Sequence, residues 1–127
     1  MFNHVMLGAN DLEKSRQFYD AFLGALDIAP GTANKNRYFW RGNGGVFAVS
    51  TPINGEPATA GNGSTTGFAC TSTEQADAAH AAGIANGGTA AEDPPGWRGE
   101  GAAALYLAYV RDPAGNKLCL AYRKPKA

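Results

Sequence analysis

Cysteine is scarce in this chain of 127 residues. Only Cys70 and Cys119 occur, without CxxC spacing, too few for a disulfide framework, and both are read as reduced thiols. An excess of either charge is also missing. Eleven basic residues balance eleven acidic ones, which removes the basic surface that a nucleic-acid groove or an anionic membrane requires, so neither partner is expected. Long apolar runs are absent too: the longest, AAALYLAYV at 102 to 110, falls far short of the ~20 residues that span a bilayer. The opening MFNHVML has no basic segment leading into an apolar one, so no signal peptide is expected and a cytoplasmic protein is.

What the chain does contain is core material, 44% apolar and 10% aromatic residues, which argues against disorder. Its length suits one domain spanning 1–127, able to bury roughly two thirds of the surface of its unfolded chain.

The chain reads as two halves on one plan. The first half, about 1–52, opens with a strand, FNHVMLGA, and turns at once into a helix. Asn10 is placed to cap it, with Glu13 three residues on as in a capping box. Leu12, Ser15, Tyr19, Phe22, Leu23 and Leu26 form one helical stripe that ends near Gly24 and Pro30. Strands follow at 37 to 41 and 45 to 51. A connector rich in Gly, Pro, Asn and Thr, about 53–63, leads to the second half, about 64–124. There a strand at 64 to 71 precedes Ser72 and Gln75, a second capping pair, and an alanine-rich helix that stops at Asn86, Gly87 and Gly88. The two helix starts recur after about 60 residues, the mark of an internal duplication. The second helix is thin and is expected to lie close against its sheet. Strands near 103 to 111 and 117 to 123 close the half, so each half is strand, helix, then two or three strands, an α+β arrangement.

In the last strand Lys117, Cys119 and Ala121 face one way and Leu118, Leu120 and Tyr122 the other. The turn before it is built from Asp112, Pro113, Gly115 and Asn116. This D-P-x-G-N turn, together with HVMLGANDLEKSRQFYDAFLGALDI and GFACTSTEQADAAHAAGIANGG, resembles the vicinal oxygen chelate superfamily, which groups glyoxalase I, bleomycin resistance proteins and extradiol dioxygenases. The resemblance covers nearly the whole chain. It implies two tandem βαβββ modules, the glyoxalase/bleomycin resistance fold, whose mixed sheets form a cup often completed across a homodimer.

Metal-dependent members of that family hold a divalent ion with one residue from each of four strands, usually His, Glu or Gln, His and Glu. The matching positions here are His4, Ala48, Thr65 (or Thr66, if the helix cap sets the register) and Cys119. One ligand type of four is retained, which leaves a hard divalent ion short of donors and of negative charge. No metal cofactor is therefore expected, with zinc, nickel, iron or manganese left as the alternative.

Each candidate has a plain reading beside the chemical one. His4 reads as a cavity histidine bonded to a hydroxyl. The alternative is a zinc ligand with Cys119 and a third donor, such as Thr65 or one from a dimer mate. Cys119 reads as a small half-buried thiol, the alternative being a nucleophile activated by His4 or Lys117. Cys70 belongs to the core, and His80 is a satisfied or surface histidine. Trp97 and Arg98, in the Pro and Gly-rich stretch PPGWRGEG, are expected on a loop, either over the mouth of the cup or on ordinary surface. Alternation sets Arg37, Phe39 and Arg41 against Tyr38 and Trp40, without saying which set faces the cup, and Tyr106 and Tyr109 are equally open.

The expected function is binding of a small organic molecule in the cup by His4, Ala48, Thr65, Trp97, Arg98 and Cys119, without the usual metal. The alternative is an enzyme, a lactoylglutathione lyase-like lyase or isomerase or a dioxygenase, working through a displaced metal or a His4 and Cys119 pair. A domain acting mainly through protein contacts is the third reading.

Overall fold

Two sheets and two helices share one core in the computed structural model, which describes residues 1–125. The expected domain span of 1–127 thus includes two residues outside the described ones. The first module runs β1 (His4–Gly8), α1 (Leu12–Gly24), β2 (Thr32–Asn34), β3 (Arg37–Gly42) and β4 (Gly45–Ser50). The second runs β5 (Thr66–Ala69), α2 (Thr73–Ala85), β6 (Thr89–Arg98), β7 (Leu105–Arg111) and β8 (Lys117–Arg123). Strand order is β1-β4-β3-β2 in one sheet and β5-β8-β7-β6 in the other. In both, the first strand lies parallel to the last and the remaining pairs are antiparallel. The duplicated βαβββ plan is therefore present, with three strands after each helix.

Two of those strands escape a reading by pattern. β2 is three residues long and exposed throughout, so no apolar alternation marks it. β6 contains Pro94, Pro95 and Gly96, which read as a loop; it is a sheet edge broken by a bulge between Ala91 and Gly96, and an edge tolerates proline. Trp97 and Arg98 accordingly stand on a strand, not on the expected loop.

The first helix is capped by Asp11, whose carboxylate accepts from the Lys14 amide at 3.0 Å, rather than by Asn10. Asn10 instead fastens the connector: its Oδ1 accepts from the Ala58 amide at 2.7 Å and its Nδ2 donates to the Ala58 carbonyl at 3.2 Å. Glu13 turns to Arg16 instead of closing a capping box. The second cap is as expected in its main bond, with Ser72 Oγ accepting from the Gln75 amide at 3.0 Å.

Phe18, Tyr19, Phe22 and Leu23 of α1 are fully buried. Tyr19 packs on Trp40 and Phe47, and Phe22 on Phe68 of the other module. Phe18 lies outside the expected stripe because it faces α2, not a sheet. Alanines and Gly83 on α2 make room for it: a Cβ on Gly83 would stand 3.1 Å from the Phe18 ring. The thinness of α2 thus serves the helix-to-helix contact as well as the approach to its sheet.

Trp40, Val49, Val110, Leu118 and Leu120 turn inward toward the helices. By alternation and register, the residues between them occupy the outer faces of the two sheets.

Candidate functional site

Strand register arranges the outer face of the first sheet in rows. His4 lies beside Val46, which lies beside Arg41; Met6, Ala48 and Phe39 form the next row; Gly8, Ser50 and Arg37 the third. Trp40 is buried in the core, so it is Arg37, Phe39 and Arg41 that face outward. The outer face of the second sheet carries Gly67, Cys119, Tyr109 and Ala91 in one row, with Lys117 and Arg111 paired on one side and Ala121 and Leu107 on the other.

Of the four family positions His4, Ala48 and Cys119 lie on these outer faces and Thr65 lies just before β5, and among the described residues they do not gather at one point within the chain. His4 is exposed, and its Nδ1 lies 2.8 Å from Oδ1 of Asn3, an amide rather than the expected hydroxyl. Ala48 is fully buried. Thr65 is exposed and immediately precedes β5, while Thr66 is the first residue of β5 and points with Phe68 toward the helices. Cys119 is 8% exposed.

Burial pushes the Cys119 thiol up from its ordinary range, Glu92 adds to the rise, and Tyr109, Lys117 and Arg98 oppose it. A protonated, poorly nucleophilic thiol at neutral pH follows. Its polar company is not His4 but Lys117, the other candidate activator, together with Tyr109 and Glu92. Lys117 Nζ sits 5.0 Å over the Tyr109 ring and forms an ion pair with Glu92. Glu92 stands in the bulge with a φ of 55°, a left-handed conformation unusual for its residue type. Tyr109 could have been found from the sequence: counting back from the D-P-x-G-N turn pairs Arg111 with Lys117 and hence Tyr109 with Cys119.

Arg98 shares this face, but its guanidinium is occupied. It donates to the carbonyls of Gly96, Asp93 and Pro94 at 2.9, 3.1 and 3.0 Å, holding the bulged part of β6 together. Trp97 is on the opposite face, packed against Tyr106 and Tyr122 with Lys124 Nζ 4.9 Å over its ring. The structure therefore separates these two residues. Cys70 lies in the core with its thiol pushed up to about 11 by burial, and His80 Nε2 meets the Tyr109 carbonyl at 3.1 Å, a satisfied histidine.

A cleft of about 750 Å³ opens where the modules meet, lined by His4, Arg41, Val46, Thr66, Phe68 and Gln75 among others. A second, of about 210 Å³, lies under the connector between Met6, Ser64 and Lys117. Neither is lined by Ala48 or Cys119, which lie on the strand faces themselves. Among the described residues no three His, Cys, Asp or Glu side chains gather as a metal ion would require. An imidazole, a methyl group, a hydroxyl and a desolvated thiol do not fit the divalent ion of the metal-dependent members.

The D-P-x-G-N turn is a buried joint. Asp112 Oδ1 accepts from the amides of Ala114 and Asn116, each at 2.9 Å, and Asn116 Nδ2 donates both to Asp112 Oδ2 and to the Gly8 carbonyl at 2.9 Å. It thereby ties the last hairpin to β1 and sets the two outer faces relative to each other.

A solved glyoxalase/bleomycin resistance protein from Albidiferax ferrireducens T118 is 64% identical, with a TM-score of 0.93 over 97% of this chain and 99% of its own. A glyoxalase-related enzyme from Fulvimarina pelagi shares the fold at 22% identity and a TM-score of 0.74, covering 97% and 88% of the two chains. A putative glyoxalase from Bacillus halodurans does so at 19% identity and a TM-score of 0.72, covering 96% and 95%. No curated protein matches the chain. The sequence model of the Glyoxalase/Bleomycin resistance protein/Dioxygenase superfamily matches residues 1–120, and with that span and that fold the chain belongs to this superfamily.

Proposed function

We propose that the chain binds a small organic molecule in a cup lined by the outer faces of its sheets, without the divalent ion of its metal-dependent relatives, as a cytoplasmic homodimer. The observation that carries this reading is the donor set. His4, Ala48, Thr65 and Cys119 bring no carboxylate to the four positions, and burial keeps the thiol of Cys119 protonated. A dication there would find neither charge compensation nor a full set of nitrogen and oxygen ligands.

The dimer follows from incompleteness. The two outer faces belong to different sheets of one chain, and each presents a half-buried aromatic side chain, Phe39 on one and Tyr109 on the other, with a cation of its own sheet, Arg41 or Lys117, over the ring. A second copy that sets its β5 to β8 sheet against the β1 to β4 sheet would enclose a cavity with His4 and Ala48 on one wall and Cys119 on the other. Such a cavity suits a compound with a planar or apolar body.

Elemental analysis of the dialysed protein and of His4→Ala tests the metal-free part. The expected result is no stoichiometric metal in either; an ion that is present in the parent and lost in the variant overturns it. A thermal-shift screen of small organic compounds tests the binding part, since a ligand selective for the folded state raises Tm.

A further inference from the structure

Resting on that reading, we propose that the outer face of β1, β3 and β4 takes a planar carboxylate, with Arg37 as the anion grip, Phe39 as the platform and Arg41 as the covering cation. The ligand class follows from where charge lies on a chain that is neutral overall. The positions facing outward on this sheet are His4, Met6 and Gly8 of β1, Thr32 and Asn34 of β2, Arg37, Phe39 and Arg41 of β3, and Val46, Ala48 and Ser50 of β4. Two are guanidiniums, one is an imidazole and none is an acid. Of the first module's four carboxylates, Asp11 caps α1, Glu13 and Asp20 are engaged with Arg16, and Asp27 lines the cleft beside Arg41 without belonging to this sheet face.

The state of the two arginines separates them from other cations of the fold. Arg16 is paired with acids, Arg98 donates to three carbonyls, Arg111 donates to the Gly115 carbonyl and Lys117 is paired with Glu92. Arg37 has a buried Nε with no partner among the described residues. A donor shut away from water without an acceptor is costly, and more so on a charged group. The side chain as a whole is half-buried rather than sealed, and when it turns outward a carboxylate supplies the missing acceptor in the forked geometry that guanidinium favours.

The apolar half of the ligand has its own seat. Phe39 lies two residues from each arginine on the same strand face, with Met6 and Ala48 beside it in the same row. The Arg41 guanidinium already leans over the Phe39 ring at 6.0 Å, so a flat ring on Phe39 would lie next to a cation. Phosphate alone would use the arginines but not this platform; a neutral aromatic would use the platform but leave Arg37 Nε unpaired.

Benzoate and its neutral isostere benzamide, titrated into ¹⁵N-labelled protein while the arginine Nε–Hε signals are followed, test the proposal. The expected result is a saturable shift of the Arg37 signal with benzoate and roughly tenfold weaker binding of benzamide, the scale of one charge-assisted hydrogen bond. Arg37→Met should remove the difference between the two compounds, and Lys14→Met, on the exposed face of α1, should keep it. Equal affinity for both compounds overturns the anion assignment and leaves small-molecule binding standing. No shift with benzoate up to about 20 mM, well above a millimolar Kd, overturns the proposal outright. If that silence comes with a dimer in which Phe39→Asp yields monomers, the face is a subunit contact instead. The wider reading fails only if the thermal-shift screen is also empty.

Discussion

The Tyr19 hydroxyl donates to Oδ2 of Asp112 across 2.5 Å, joining α1 of the first module to the last hairpin of the second. Both groups are buried, and Asp112 also gathers two backbone amides and the Asn116 side chain. The turn motif that carried the family resemblance thus works as a structural bolt rather than as a ligand contact. Tyr19→Phe removes one donor from a buried carboxylate and should cost about 1–3 kcal/mol, read as a lower urea midpoint with unchanged slope. Asn116→Ala should cost more, because it also frees the Gly8 carbonyl. A Tyr19→Phe protein with the parent midpoint would show that the bolt carries no net stability.

Close approach at the end of α2 gives a sharper steric prediction. A Cβ on Gly88 would lie 2.6 Å from the Phe18 ring and 2.7 Å from the Gly83 carbonyl oxygen. Gly88→Ala should therefore destabilise by about 1–3 kcal/mol, the usual scale of overpacking. Phe18→Leu in the same chain should recover only part of that loss, since the carbonyl cannot move aside as a ring can. Full recovery would mean that the backbone contact is unimportant; a double-mutant cycle in urea separates the two.

Much of this architecture was legible because periodicity and turn chemistry are local. The second helix start, β7, β8 and the D-P-x-G-N turn all lie where residue spacing puts them, and the inward set Leu118 and Leu120 follows from alternation. What was not legible depends on what neighbours do. Asp11 took the cap because Asn10 had a better use 48 residues away on the connector. β6 is a strand only because β7 is there to pair with it. The face of Arg37, Phe39 and Arg41 was settled by Trp40 entering the core, and a five-residue aromatic segment offers either choice on its own. Cys119 and His4 were linked by a family pattern, whereas the chain brings Cys119 next to Tyr109 and the Lys117 and Glu92 pair.

Trp97 tests how far that lesson reaches into function. It was a candidate for the mouth of the cup, yet it lies beside Tyr106 and Tyr122, and Tyr106 in turn donates to Asp77 of α2 at 2.6 Å. At 42% exposed it buries only part of its ring. Trp97→Ala should cost about 1 kcal/mol from lost aromatic contact and leave benzoate affinity unchanged within error. A large loss of affinity with little loss of stability would return Trp97 to the binding site.

Alkaline pH should loosen this fold before acid chemistry at the cup matters, and Cys70 gives the sign. Its thiol is pushed up to about 11 by burial, Cys119 moves in the same direction, and Tyr19 is raised well above the usual phenol range by burial and by Asp112. Below the ordinary thiol pKa of about 8.5 the proton is held in both folded and unfolded chains, so stability is flat with respect to these groups. Above it the unfolded chain releases protons first, and stability falls until the pH passes the folded-state value near 11 for Cys70. Urea midpoints measured from pH 7 to 11 should therefore decline, and Cys70→Ala should decline less steeply while starting lower by about 1 kcal/mol for its lost packing. Parallel curves for the two proteins would mean that the Cys70 thiol ionises as easily in the fold as out of it, and that burial is not what holds its proton.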